Sequence, residues 1–123
     1  MDNKKIITFT DLVAWQKGHE LVLAIYQQVK AFPANETYAL TDQMKRCAVS
    51  ITSNIAEGFS RQSKKEKLQF YYIAKGSLTE LQNQLLIAKD VHYINSIDFL
   101  SLSDQAVSVH KLINGLIKSI KGR

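Results

Sequence analysis

The chain has 123 residues, of which 46% are apolar and 22% are charged, a balance typical of one globular domain that can bury its own core. One proline and five glycines are too few for a disordered chain, and the apolar runs are too short to span a bilayer. The start of the chain lacks the apolar stretch of a secretory signal, and Cys47 is the only cysteine. We therefore expect a single domain over residues 1–123, located in the cytoplasm and without a membrane partner.

The first helix is predicted over residues 10–32. Thr10 is the expected N-cap, and Pro33 is expected to stop the helix. One face is predicted from apolar residues spaced by three and four: Leu12, Trp15, His19, Val22, Tyr26 and Val29.

The second helix is predicted over residues 37–58, with Gly58 as its C-terminal stop. Its apolar face is expected to comprise Leu40, Met44, Cys47, Ile51 and Ile55.

The third helix is predicted over residues 64–91, with Ser63 and Glu66 forming a capping box. The fourth is predicted over residues 97–121, capped by Ser96 or Ser101. Four comparable amphipathic helices joined by short connections predict an all-α fold, an antiparallel up-and-down four-helix bundle.

The core face of the third helix is predicted to comprise Phe70, Ala74, Ser77, Leu81, Leu85 and Ala88. Three apolar residues of this helix project away from that face: Leu68, Tyr72 and Leu86. They are either scattered surface residues or a stripe that another subunit covers. The second interpretation predicts a homo-oligomer.

No catalytic or metal-binding pattern is visible. The three histidines, His19, His92 and His110, lie in different segments, and Cys47 falls on an apolar face where a thiol is normally inert. There is no glycine-rich phosphate loop and no nucleophile elbow. We therefore expect neither an enzyme nor a cofactor or metal.

Small and polar residues follow one edge of the second helix and recur on the third: Ser50, Asn54, Glu57, Gly58, Gly76, Ser77 and Glu80. They predict either a hydrogen-bonded helix contact that fixes register or a ligand site in the same place.

The net charge of +5 is concentrated in one region. The positive residues from the second helix into the third are Lys45, Arg46, Arg61, Lys64, Lys65, Lys67 and Lys75, and Lys118, Lys121 and Arg123 form a basic tail. Such a cluster suits phosphate backbones of RNA or DNA, and Tyr71 and Tyr72 could stack on bases or simply pack in the core. The alternatives are a solvated helix start and a protein-interaction scaffold.

Several strings resemble the bacterial four helix bundle protein family, which includes proteins encoded by intervening sequences within 23S ribosomal RNA genes. They are Asp11–Lys17, Phe32-Pro33, Glu36–Leu40 with Gln43, Ser50-Ile51, Asn54–Gly58, Gly76–Leu78 and Glu80-Leu81. The chain is also similar to the accessory variability proteins of diversity-generating retroelements. The resemblance covers about residues 9–94. It implies a four-helix protomer, a homopentameric ring with a basic surface, and, from the retroelement relatives, nucleic acid and a reverse transcriptase as partners. It also implies motif positions of structural rather than catalytic role at the seven small and polar residues above.

Overall fold

The computed structural model describes residues 5–123, and these form four α-helices with no strand in the described part of the chain. The helices are α1 (Val13–Val29), α2 (Leu40–Ser60), α3 (Lys64–Asp90) and α4 (Ser96–Lys121). Each helix packs on two neighbours in the cyclic order α1, α2, α3, α4, and the contact between α2 and α3 is the most extensive. The predicted all-α four-helix bundle is confirmed.

The first helix begins at Val13 rather than at Thr10, so the predicted cap is wrong. A short 3-10 turn over Phe9–Asp11 precedes the helix, and the Asp11 carboxylate accepts hydrogen bonds of 2.9 Å from the backbone N–H groups of Ile7 and Thr8. The backbone then becomes extended at Leu12 before α1 starts. The Asp11 carboxylate therefore accepts from N–H groups at the start of the 3-10 turn, which precedes α1.

The core face of α1 also differs from the prediction. The buried residues of α1 are Ala14, Gly18, Leu21, Val22, Ile25 and Val29. Trp15 is only half-buried, and His19 and Tyr26 are exposed. The small residue at Gly18 lets α2 approach closely, because a Cβ built there would lie 3.1 Å from Thr52 Cγ2. The large aromatic residues therefore lie on the flank of α1, beside α2.

The connection between α1 and α2 is longer than predicted. The first helix ends at Val29 instead of residue 32, and α2 begins at Leu40 instead of residue 37. Between them Phe32 is buried, and a second 3-10 turn over Ala34–Glu36 follows Pro33. Pro33 disfavours the helical conformation at Phe32, so the helix could not have continued past this segment.

Four of the five residues predicted for the core face of α2 are buried, and the fifth, Leu40, is half-buried against the core. Gly58 does not end the helix. Met44, Cys47, Ile51 and Ile55 are buried, and α2 continues to Ser60 before the chain becomes extended at Arg61. No hydrogen bond at the end of α2 requires a residue with left-handed backbone at position 58. The reason for glycine at this position is therefore a different one.

The bounds of α3 agree with the prediction, and half of its capping box is present. Ser63 Oγ accepts a hydrogen bond of 3.1 Å from the N–H of Glu66, while the Glu66 carboxylate accepts from Ser63 Oγ rather than from its backbone. The predicted serine caps of α4 are wrong, because Asn95 caps it through a 2.8 Å bond from the N–H of Asp98 to Oδ1.

On α3 the structure adds two large buried residues that the prediction omitted, Tyr71 and Leu78. Tyr71 is 2% exposed and is therefore a core residue, not a stacking surface for bases. The buried side chains of all four helices form one continuous core.

Candidate nucleic-acid interface

The predicted polar motif lies at the contact between α2 and α3. Ser50 Oγ is 2.8 Å from Ser77 Oγ, and the Asn54 side chain donates to Ser50 Oγ at 3.0 Å and to the Ser50 carbonyl at 2.8 Å. The Cys47 thiol donates to the Ser77 carbonyl at 2.9 Å. We call these four residues the polar seam. Each of the four side chains has a hydrogen-bond partner within the bundle, as expected of a contact that fixes the register of two helices.

Glu80 lies at the edge of the polar seam. Burial raises the pKa of Cys47 to about 12, and the charge and hydrogen bonding of Glu80 add to the effect. The thiol therefore stays protonated, which suits a hydrogen-bond donor and not a nucleophile. The open groove above the seam, about 380 Å³, is lined by Gln43, Arg46, Cys47, Ser50, Ser77 and Glu80.

The two glycines of the motif differ. A Cβ at Gly58 would lie 2.6 Å from Cε1 of the buried Tyr71, so glycine is required where α3 crosses the end of α2. At Gly76 a Cβ would meet nothing within 4 Å. Contacts within the protomer explain Gly58 but not Gly76.

Two of the residues predicted to bind nucleic acid, Arg61 and Lys67, are engaged in contacts within the protein. Arg61 pairs with Glu57 at 3.2 Å and with Glu66 at 3.9 Å, and its guanidinium lies over the Phe70 ring. The Lys67 ammonium donates to the carbonyls of Phe59 at 2.7 Å and of Gly58 at 3.3 Å.

Lys67 thus interacts with the C-terminal carbonyls of α2, where a helix favours positive charge. Burial, and next the neighbouring Arg123, lower the pKa of Lys67 below its usual range. The second cause shows that Lys67 and Arg123 lie close enough to repel each other.

The two predicted residues near the start of α2 are dispersed from this region. Arg46 pairs with Asp42 at 2.9 Å, and the Lys45 ammonium lies 5.1 Å from the centre of the Tyr26 ring on α1. Both lie near the opposite end of α2 from Arg61, so the structure does not join them to the rest of the cluster.

Lys64, Lys65 and Lys75 remain from the predicted cluster. The fold brings the basic tail to the start of α3, where Lys64 and Lys65 lie, whereas Lys75 lies about three turns further along the helix. The Lys64 ammonium contacts the carbonyl oxygen of Arg123, and Lys121 Nζ lies 5.6 Å from the centre of the Tyr72 ring. The start of α3 and the end of α4 therefore lie side by side. We call Lys64, Lys65, Lys118, Lys121 and Arg123 the basic end.

Three lysines of the basic end are not paired with acidic side chains. Within residues 5–123, no carboxylate forms an ion pair with Lys65, Lys118 or Lys121. Of the acids next to this end, Glu57 and Glu66 pair with Arg61, and Asp11 accepts from the backbone N–H groups of Ile7 and Thr8. At the other end of the bundle the acids Glu36, Asp42, Asp90 and Asp98 lie together with the cations Lys30, Lys45, Arg46 and Lys89. Lys65, Lys118 and Lys121 therefore remain available at the basic end.

The three predicted interface residues have different surroundings. Leu68 is half-buried and packs against the core of its own bundle. Tyr72 and Leu86 are 44% and 47% exposed, and Ile73 and Ile87 on the same helix are similarly exposed. An apolar outer surface of α3 is present, but it differs in composition from the predicted one.

The residues considered for catalysis do not converge. His19 stacks on Trp15 with ring centres 4.7 Å apart, and His110 lies 3.4 Å from the Asn114 amide. Across residues 5–123 there is no group of three histidine, cysteine or carboxylate residues placed to hold a metal. In the same part of the chain, no helix has both the length and the apolar character needed to cross a membrane.

These contacts describe an all-α bundle protein with an internal polar seam and, at one end, a group of lysines that are unpaired within the described residues. The chain belongs to the family described as 23S rRNA-intervening sequence protein, whose model matches residues 10–115. None of the curated proteins matches the chain.

Among solved structures, the chain is similar to a protein of unknown function from the S23 ribosomal protein family of Bacteroides thetaiotaomicron VPI-5482. The two share 24% sequence identity with a TM-score of 0.81, over 89% of this chain and 98% of the other. This likeness supports the fold, and it carries no function to the present chain.

Proposed function

We propose that the protein is a non-enzymatic bundle that binds nucleic acid, RNA or an RNA–protein complex, through its basic end. The observation that carries the proposal is the meeting of the α3 start with the α4 end, which brings Lys65 near Lys118 and Lys121 from a distant part of the sequence, all three without an acidic partner among residues 5–123. Phosphate backbones bind such clusters by releasing condensed counterions, without reading the bases.

The location of the cations favours this function over general solubility. Lys64 and Lys65 lie at the N-terminus of α3, where positive charge opposes the helix dipole. Lys118 and Lys121 at the C-terminus of α4 are favoured there, but they add to the same surface. An anion at this surface would relieve the repulsion between neighbouring cations.

The test is a titration of labelled RNA across salt concentration with two matched variants. Lys65→Gln/Lys118→Gln removes two cations from the basic end, and Lys30→Gln/Lys89→Gln removes two from elsewhere with the same change in net charge. We expect the first to reduce the dependence of log affinity on log salt by about one for each phosphate that the protein no longer neutralises, and the second to leave it nearly unchanged. Equal effects of the two variants, or no RNA binding at low salt, would contradict the proposal.

A second candidate is a protein-interaction scaffold that self-associates, and the outer surface of α3 favours it. Ile73, Leu86 and Ile87 are each close to half-exposed, and Gly76 between them has open space beside it. A glycine within an exposed helix lowers stability by about 1 kcal/mol relative to alanine, so a close neighbour outside the protomer would explain it. A homo-oligomer, of five copies if it follows the resemblance, would cover this surface.

Light scattering tests the second candidate. Leu86→Gln should lower the mass of the assembly, whereas Leu100→Gln on α4, also an exposed leucine, should leave it unchanged. A monomeric parent protein would exclude self-association.

A further inference from the structure

One exposed aromatic ring lies among the lysines near the basic end. Tyr72 is 44% exposed, and Lys121 Nζ of α4 lies 5.6 Å from its ring centre. On α3, Lys65 and Lys75 precede and follow Tyr72 by seven and three residues, spacings that place side chains on neighbouring parts of one helix surface. Lys118 lies one turn before Lys121 on α4.

The other tyrosines do not share this setting. Tyr71 is 2% exposed and belongs to the core. Tyr38 is 96% exposed but lies in the α1–α2 connection, at the end of the bundle that carries Glu36 and Asp42. Tyr26 is 39% exposed beneath Lys45, and Lys30 follows it by four residues on α1, but it lies at the same end as Tyr38. Among these residues, Tyr72 is therefore the exposed tyrosine next to the basic end, where Lys65, Lys118 and Lys121 have no acidic partner in the described part of the chain.

We propose that the protein prefers single-stranded nucleic acid, with one base stacked on Tyr72 and the adjoining phosphates held by Lys65, Lys118 and Lys121. This inference rests on the proposed function and specifies the ligand class of the same site. Aromatic side chains among cations bind single strands because every base has a flat face to stack. In a duplex those faces are covered by neighbouring base pairs, so a duplex would meet the lysines alone.

Lys121 lies over the Tyr72 ring but leaves the ring accessible to solvent. Its side chain is long and exposed, and a lysine above an exposed ring is held only weakly. Stacking of a base is the stronger interaction of the two. The displaced ammonium would remain beside the phosphates that follow the stacked base, so Lys121 would exchange its contact with the ring for a contact with phosphate.

The experiment compares a labelled oligo-uridine strand with a duplex of the same length. The protein variants are Tyr72→Leu, which removes the ring and keeps an apolar side chain, and Tyr72→Phe, which keeps the ring. Tyr26→Leu is the matched control, because it also removes a half-exposed ring that lies under a lysine. Light scattering accompanies each titration.

We expect Tyr72→Leu to weaken single-strand binding by about tenfold, with an unchanged salt dependence and unchanged duplex binding. Tyr72→Phe and Tyr26→Leu should bind as the parent does. Equal binding of the single strand by the parent and by Tyr72→Leu would overturn the inference, as would a change in assembly mass with Tyr72→Leu, since Tyr72 would then lie between subunits. If Tyr72→Leu has no effect but the lysine variants still reduce the salt dependence, the proposed function stands and only this inference fails.

Discussion

The hydroxyl of Tyr93 donates a hydrogen bond of 2.7 Å to Glu36 Oε2 and so joins the two connections at one end of the bundle. The Tyr93 ring also packs on the buried Phe32, with ring centres 5.3 Å apart. Glu36 lies in the turn before α2, and Tyr93 lies in the segment between α3 and α4. This pair therefore links the first half of the chain to the second.

Replacing Tyr93 with phenylalanine should lower the free energy of unfolding and change its dependence on alkaline pH. The hydrogen bond to Glu36, followed by burial, raises the pKa of Tyr93 above its usual value of 10.0. A raised pKa in the folded state contributes stability below pH 10, and this contribution disappears as the pH rises through the folded-state pKa. Urea unfolding across pH 8–11 should show a smaller alkaline decrease in stability for Tyr93→Phe than for the parent. Identical pH profiles would show that the bond is not formed in solution.

The two glycines of the polar motif should respond oppositely to alanine. At Gly58 the new methyl group would overlap the Tyr71 ring, so Gly58→Ala should lower the free energy of unfolding by about 1–3 kcal/mol. The higher helix propensity of alanine would offset part of this loss. At Gly76 no protomer atom is near, so Gly76→Ala should stabilise the protomer by about 1 kcal/mol. Urea unfolding of the two variants side by side measures the contrast. A destabilised Gly76→Ala protein would indicate a neighbour outside the protomer.

The thiol of Cys47 should be nearly unreactive in the native protein. Its pKa is raised from 9.0 to about 12, mainly by burial, so the reactive thiolate at pH 8 is roughly a thousandfold rarer than in the unfolded chain. Modification by a disulfide reagent at pH 8, with and without urea, gives the ratio of rates. Rapid modification without urea would mean that the contact of Cys47 with Ser77 opens easily.

Replacing His92 with glycine should stabilise the protein by about 0.5–1 kcal/mol. His92 follows α3 with a φ of 67°, in the left-handed region, and its N–H donates to the Lys89 carbonyl. Glycine adopts this conformation without a Cβ penalty, whereas alanine keeps the penalty. Thermal unfolding should therefore rank His92→Gly above His92→Ala, and the reverse order would argue against the left-handed turn.

Much of the fold follows from local patterns. The spacing of Met44, Cys47, Ile51 and Ile55 predicted the buried face of α2, and Ser63 with Glu66 predicted the start of α3. The polar motif was also recognised from sequence, because small polar residues on an otherwise apolar edge are unusual. The side chains that cap a helix lie next to it in sequence, so they are visible there.

The errors concern choices that local patterns leave open. The first helix has apolar residues on two sides, and only contact with α2 decides that Gly18 faces inward while His19 stays outside. Likewise, Asn95 and the two serines near it are all acceptable caps, and the path of the chain decides which one meets the free N–H groups.

Local patterns were enough to predict four amphipathic helices, their approximate limits and an excess of positive charge, since each depends on neighbours within a few residues. Which cations stay available depends on how the helices pack. In the folded protein Arg61 pairs with Glu57 and Glu66, and Lys67 donates to a carbonyl at the end of α2. The end of α4 lies beside the start of α3. Charge is a property of composition, but its pairing depends on distances between residues far apart in the chain.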